Sequence, residues 1–158
     1  GRSRIRPPEL VRFMRERGMT VPNELLPGPV RVAVIDDDRR HVEAVVDTLG
    51  ELAPSLDIRT APDGFAAGLL LGSFRPDLVL LDLVMPGLDG FEVLRRLREQ
   101  PELEGTTVVV ISGELSPERI RRCLELGAAR CLTKPLSEDD LGAVLTAYLP
   151  AERPVERP

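Results

Sequence analysis

Between Val30 and Leu149 the apolar positions alternate between two patterns. Short runs, from Arg31 to Ile35, Leu56 to Ala61, Thr106 to Ile111 and Ala129 to Thr133, together with the one that ends at Asp82, are too brief for helices and read as strands. The unbroken ones have the character of parallel strands buried on both faces. Between them apolar residues return at three- and four-residue spacing, and each set predicts the inward face of a helix. The sets are Val42, Val45, Val46 and Leu49; Phe65, Ala66, Leu69 and Leu70; Phe91, Leu94 and Leu97; Ile120, Cys123, Leu124 and Gly127; and Leu141, Val144, Leu145 and Tyr148. Asp63, Asp89 and Ser116-Pro117 stand where helices should start, and Ser137 with Asp140 has the form of a capping box. Five strand-then-helix units predict an α/β fold, a doubly wound five-stranded parallel sheet with helices on both faces.

The stretch from Pro76 to Gly90 organises this pattern. Its apolar half stops at a carboxylate, Asp82, and Met85-Pro86-Gly87 then breaks the chain ahead of the helix that Asp89 opens. Asp82 therefore belongs at the carboxyl end of a central strand, the edge where open α/β sheets bind ligands. Upstream, Pro7 and Pro8 start an extra N-terminal helix with Leu10, Phe13 and Met14 along one stripe and Gly18 at its end. Met19 to Pro29 reads as a Pro-rich linker, which sets the domains as residues 1–29, 30–149 and a Pro- and charge-rich tail, 150–158, expected to be disordered.

The 158 residues suffice for one substantial core, and no apolar run is long enough to cross a membrane, so the chain is read as soluble and cytoplasmic, with no membrane partner. Residues 1–18 carry a net +4, all of the basic charge from arginine, and leave −9 on the rest. The main body is thus a poor electrostatic match for nucleic acid. Cys123 and Cys131 have neither zinc-site nor Cys-x-x-Cys spacing and read as reduced packing residues.

Asp36 and Asp37, Asp82, Ser112 and Lys134 each close a different strand, the first, third, fourth and fifth, so the fold brings them to one edge. Three neighbouring carboxylates repel one another and take up protons unless a cation joins them. An all-oxygen site suits a hard divalent ion, and Mg2+ leaves positions free for a phosphoryl oxygen. Asp82 is then a nucleophile able to form an acyl phosphate, with Ser112 and Lys134 each holding a phosphoryl oxygen.

These residues lie within Val-Ile-Asp-Asp-Asp (34–38), Leu-Leu-Asp-Leu-Val-Met-Pro-Gly-Leu-Asp-Gly (80–90), Val-Ile-Ser-Gly (110–113) and Thr-Lys-Pro (133–135). In this order and spacing, residues 30–149 resemble the receiver domain of two-component response regulators. The resemblance implies the flavodoxin-like strand order 2-1-3-4-5, with Asp82 as phosphoacceptor fed by a sensor histidine kinase, phosphotransfer protein or small phosphodonor. It implies Mg2+ held by Asp37, Asp82 and the main-chain carbonyl of Val84, with Asp36 acting through water, and no catalysis beyond the domain's own phosphoryl transfer and autodephosphorylation. The family's switch aromatic, three residues before the lysine, is Cys131 here, too small to report phosphorylation by ring rotation. Val84 offers no side-chain group to orient attacking water, which predicts a long-lived phosphoryl state.

Residues 8–22 resemble the closing helix and linker of an excisionase-like helix-turn-helix domain, which implies DNA binding only through a domain largely outside this sequence and a role in controlling transcription. Homodimerisation through the fourth and fifth receiver helices, or through the N-terminal helix, is a further expectation. Two rival classes are a phosphatase resembling haloacid dehalogenases, whose second motif aspartate is replaced here by Val84, and a receiver-like interaction module that signals without phosphorylation. His41, the single histidine, lies early in the first helix near the site and is read as a surface helix position ahead of the alternative of a general base or phosphocarrier, and the pairs Arg95/Arg96 and Arg121/Arg122 are read as solvated helix faces.

Overall fold

The structure, a computed structural model, describes residues 7–22, 25 and 28–149. The first six residues, parts of the linker and the 150–158 tail lie outside the described residues. Val30–Leu149 form one compact unit. Ahead of it, α1 (Pro7–Glu16) ends as its sequence directs: Gly18 takes φ 65°, and the Met19 amide donates to the Met14 carbonyl at 2.9 Å.

Within the compact unit the chain runs β1 (Arg31–Ile35), α2 (Arg39–Leu52), β2 (Asp57–Ala61), α3 (Gly64–Phe74), β3 (Leu78–Asp82), β4 (Val84–Met85), β5 (Leu88–Asp89), α4 (Gly90–Glu99), β6 (Thr107–Ser112), α5 (Pro117–Glu125), β7 (Arg130–Thr133) and α6 (Glu138–Tyr148). The main sheet is parallel in the order β2-β1-β3-β6-β7, the predicted 2-1-3-4-5 arrangement of its five strands. Its two faces hold separate cores. Ala33, Ile35, Val79 and Leu81 meet α3, α4 and α5 through Leu71, Phe74, Leu94, Leu97 and Cys123. Val32, Val34, Leu78 and Leu80 meet α2 and α6 through Val45, Leu49, Leu141 and Val144. Successive residues of one strand thus feed opposite cores, which is why the central strands are apolar throughout.

The four helix starts named from sequence within the compact unit are capped: Asp63 accepts from Ala66, Asp89 from Phe91 and Ser116 from Arg119, while Ser137 and Asp140 form the reciprocal capping box. Glu92 pairs with Arg96 at 2.8 Å and with Arg95 at 2.7 Å. Two inward faces differ from expectation. On α3 the buried residues are Ala67, Leu71 and Phe74, while Phe65 is 81 % and Leu69 62 % exposed. That helix is apolar nearly all round, so periodicity alone does not choose its core face. On α5 only Cys123 is fully buried and Leu124 faces solvent, because this short helix lies at the β7 edge and covers little of the sheet.

Two features had no strand or helix signal. Val84–Met85 and Leu88–Asp89 pair antiparallel across Pro86-Gly87, with Gly87 at φ 72°. Arg98, near the end of α4, donates to the Gly127 carbonyl at 2.9 Å, and its side chain occupies the space a Cβ on Gly127 would need. Above the same pair of helices, the Arg122 guanidinium stacks on the Phe91 ring at 4.0 Å, so this arginine is not simply solvated.

Candidate functional site

The chain leaves β1 toward β2 on one side and crosses to β3 on the other, and between the carboxyl ends of β1 and β3 this change of direction opens a crevice. A cavity of about 440 Å³ there is lined by Asp37, Asp38, Asp82, Val84, Ser112, Gly113, Glu114, Arg119 and Lys134. The register explains the convergence: Ile35 pairs with Leu81, Asp82 with Ile111 and Ser112 with Thr133, so the strands stop together. Asp36, Asp37 and Asp82 each offer a carboxylate oxygen, and these oxygens lie within 4.8 Å of one another. Asp36 and Asp82 are buried and Asp37 is exposed, so the cluster opens to solvent on the Asp37 side.

Lys134 bridges the two buried carboxylates, its Nζ 2.8 Å from Asp36 Oδ2 and 3.1 Å from Asp82 Oδ2. Asp82 Oδ1 accepts the Val84 amide at 3.1 Å, and Asp36 Oδ1 accepts the Asp38 amide at 2.9 Å. These unequal surroundings separate the two acids. Burial dominates at Asp82 and, with the neighbouring Asp36 charge, pushes its carboxyl above the usual range despite hydrogen bonds from Val84 and Lys134. Burial also opposes ionisation of Asp36, but hydrogen bonds from Lys134, Asp38 and His41 outweigh it and hold that carboxyl low. The Lys134 ammonium is disfavoured by burial, yet its bonds to Asp36 and Asp82 carry it above its ordinary value.

Ser112 is buried at the site, and its hydroxyl is engaged with the neighbouring backbone: Oγ donates to the Glu114 carbonyl at 3.0 Å. Val84 is 59 % exposed on the cavity wall. Cys131, half-buried on β7, packs at the margin of the α3–α5 core, not in the cavity. Burial pushes the Cys123 thiol up to about 12 and raises Cys131 as well, so neither is a reactive thiolate.

His41 corrects the expectation of a surface position. Its side chain is 8 % exposed and its Nδ1 lies 2.7 Å from Asp36 Oδ2. The only sequence signal was its spacing: Asp38 caps α2 by accepting the His41 amide, which turns the imidazole back over Asp36. Arg119, at the foot of α5, is a second residue that sequence reasoning did not place on the cavity wall.

The sequence profile of the response regulator receiver domain matches residues 32–146. Response regulator MprA of Mycobacterium sp. (strain KMS) is 37% identical over 130 residues, 82% of this chain and 55% of that protein, so the chain spans about half the length of this relative. The signal receiver domain of the DNA binding response regulator protein (merR) from Colwellia psychrerythraea 34H superposes with a TM-score of 0.71 at 32% identity, covering 74% of this chain and 95% of that one. The Mn(2+)-bound form of response regulator Rcp1 gives 0.69 at 25% identity, covering 78% and 96%. Among the described residues no helix is long and apolar enough to cross a membrane.

Proposed function

The chain belongs to the response regulator receiver domain family, the receiver module of two-component signalling, and from that premise we propose that Asp82 is its phosphoacceptor. The observation that carries the proposal is the triple of carboxylate oxygens within 4.8 Å at the end of β3, with Lys134 alongside. An all-oxygen set at that spacing fits a hard divalent cation, and the Mn(2+)-bound state of Rcp1 supports the choice. Asp37, Asp82 and the Val84 carbonyl would hold Mg2+, with Asp36 acting through water. Bound there, the ion supplies positive charge against the phosphoryl oxygens.

The residues divide the remaining work. Asp82 attacks phosphorus, forming an O–P bond as the bond to the leaving group, acetate or the phosphodonor imidazole, breaks. Lys134 exchanges its bond to Asp82 for one to a phosphoryl oxygen, and the Ser112 hydroxyl leaves the Glu114 carbonyl for another. The partners of this chemistry are a sensor histidine kinase or phosphotransfer protein, and the catalysis is confined to the domain's own phosphoryl transfer and its reversal by water. Cys131 stands at the switch position, so output runs through movement of Ser112 and α5 without an aromatic rotation.

Intact mass after incubation with acetyl phosphate or phosphoramidate and Mg2+ tests this reading. A single phosphoryl adduct lost in Asp82→Asn and with chelator is the expected result. No adduct on a folded protein would overturn it and favour a phosphorylation-independent interaction module. The Arg-rich residues ahead of the linker carry a second part of the proposal, that they close a DNA-binding region, supported by their net +4 and by the description of the Colwellia relative as a DNA binding response regulator. A phosphorylation-dependent DNA shift by a longer protein is expected, and no shift at low salt would end it.

A further inference from the structure

His41 is buried against the acidic site without being one of its metal or phosphoryl ligands. Asp36 Oδ2 takes two donors at once, Lys134 Nζ at 2.8 Å and His41 Nδ1 at 2.7 Å, while Oδ1 is bound to the Asp38 amide. A carboxylate oxygen only accepts, so the hydrogen of this bond sits on Nδ1. The other ring nitrogen, Nε2, is buried and has no hydrogen-bond partner in the structure. An imidazole is therefore a poor filler for this space: leucine would occupy it and leave nothing unsatisfied. What the imidazole adds is the one bond to Asp36.

That bond matters because Lys134 is shared. Its ammonium holds Asp36 and Asp82 together, and in the proposed reaction it turns to a phosphoryl oxygen. The rotation of the Asp36 carboxylate is set by the Asp38 amide on Oδ1 and, on Oδ2, by His41 beside the shared Lys134. We propose that His41 is a positioning residue for Asp36, keeping its carboxylate aimed at the cation site beside the shared Lys134. This rests on the acidic site being the divalent-ion site proposed above. Outer partners of this kind orient the groups that face a metal, and removing one costs on the order of 10-fold in metal affinity.

The test is Mn2+ binding to the full chain, followed through the paramagnetic resonance of free Mn2+, in wild type, His41→Leu and His41→Asn, with metal-free melting curves beside it. Asn can place an N–H close to the position of Nδ1, and Leu cannot. His41→Leu should weaken Mn2+ binding about 10-fold without lowering the metal-free melting midpoint, and His41→Asn should restore most of the affinity. His41→Phe, which keeps a ring and loses the donor, gives the same comparison should the Leu variant fold poorly. Wild-type affinity in His41→Leu, or a His41→Asn as weak as His41→Leu, overturns the positioning role alone. A wild type that binds no Mn2+ overturns the divalent-ion site and this role together.

Discussion

Gly90 opens α4 directly beneath the end of β3, and its hydrogen is the only atom the space admits. A Cβ there would lie 2.5 Å from the Leu83 carbonyl oxygen, 2.8 Å from Leu83 Cα and 3.0 Å from its carbonyl carbon, all backbone. Its φ is outside the left-handed region, so the requirement is for room and not for conformation. In Gly90→Ala the helix has to retreat by about 1 Å to reach ordinary contact, drawing Leu94 and Leu97, both fully buried, out of their places. Overpacking of this kind costs about 1–3 kcal/mol. Gly50, inside α2, is the control: an added Cβ meets nothing within 4 Å, so Gly50→Ala should stabilise by about 0.5–1 kcal/mol. In thermal unfolding followed by circular dichroism, the two variants should move in opposite directions, at about 4 °C per kcal/mol. Leu83 joins Asp82 to Val84, so Gly90→Ala should also weaken divalent-cation binding, and Gly50→Ala should not. A Gly90→Ala protein that melts with or above wild type, or a Gly50→Ala that falls as far, would refute the steric reasoning.

The corrected face of α3 predicts that Phe65→Ala changes stability by less than about 0.5 kcal/mol, while Phe74→Ala costs about 3–5 kcal/mol in a urea titration. Glu92, bonded first to Arg95 and then to Arg96, has its carboxyl lowered from 4.5 to about 2. Its support is present above pH 4.5 and lost as pH falls toward 2, so wild type should lose more melting temperature over that interval than Glu92→Gln. The pair lies at the surface with its arginines half or more exposed, so molar salt should shrink the difference, and equal slopes at low salt would refute the pairing. The phosphoryl state should outlast that of a Val84→Asn variant, whose amide can orient water, and equal decay rates measured by intact mass would count against this account of the Val84 wall.

The central strands were legible because a parallel strand between two helix layers has no polar face: Val32 to Ile35 and Leu78 to Leu81 are all buried, and each run stops at an acid. The same logic exposed the site, since Asp36, Asp82 and Ser112 are polar residues where burial is otherwise continuous. Where a segment lacks contrast, sequence says less. From Gly64 to Phe74 α3 has only Ser73 as a polar side chain, so Phe65 and Leu69 were as eligible for the core as Leu71 and Phe74. His41 was hidden for the opposite reason, since its partner lies outside its helix and the bond exists only once the cap at Asp38 turns the chain. The Ser112 hydroxyl rotation that meets the Glu114 carbonyl is a choice of rotamer that no linear pattern records.

The Arg98 bond to Gly127 determines how α5 can move. One end of that helix is clasped to α4 there, with Arg122 resting on Phe91 as a second tie, whereas its other end hangs from Gly113 to Ser116, immediately beyond Ser112. A helix of nine residues is about 13 Å long. Held in this way it would act as a lever whose fulcrum is its far end, so a small pull at Ser112 would become a tilt that grows along the helix toward the site and dies out at Gly127. The outer side of α5, with Leu124 already in solvent, would change its angle while its root in the core stays put.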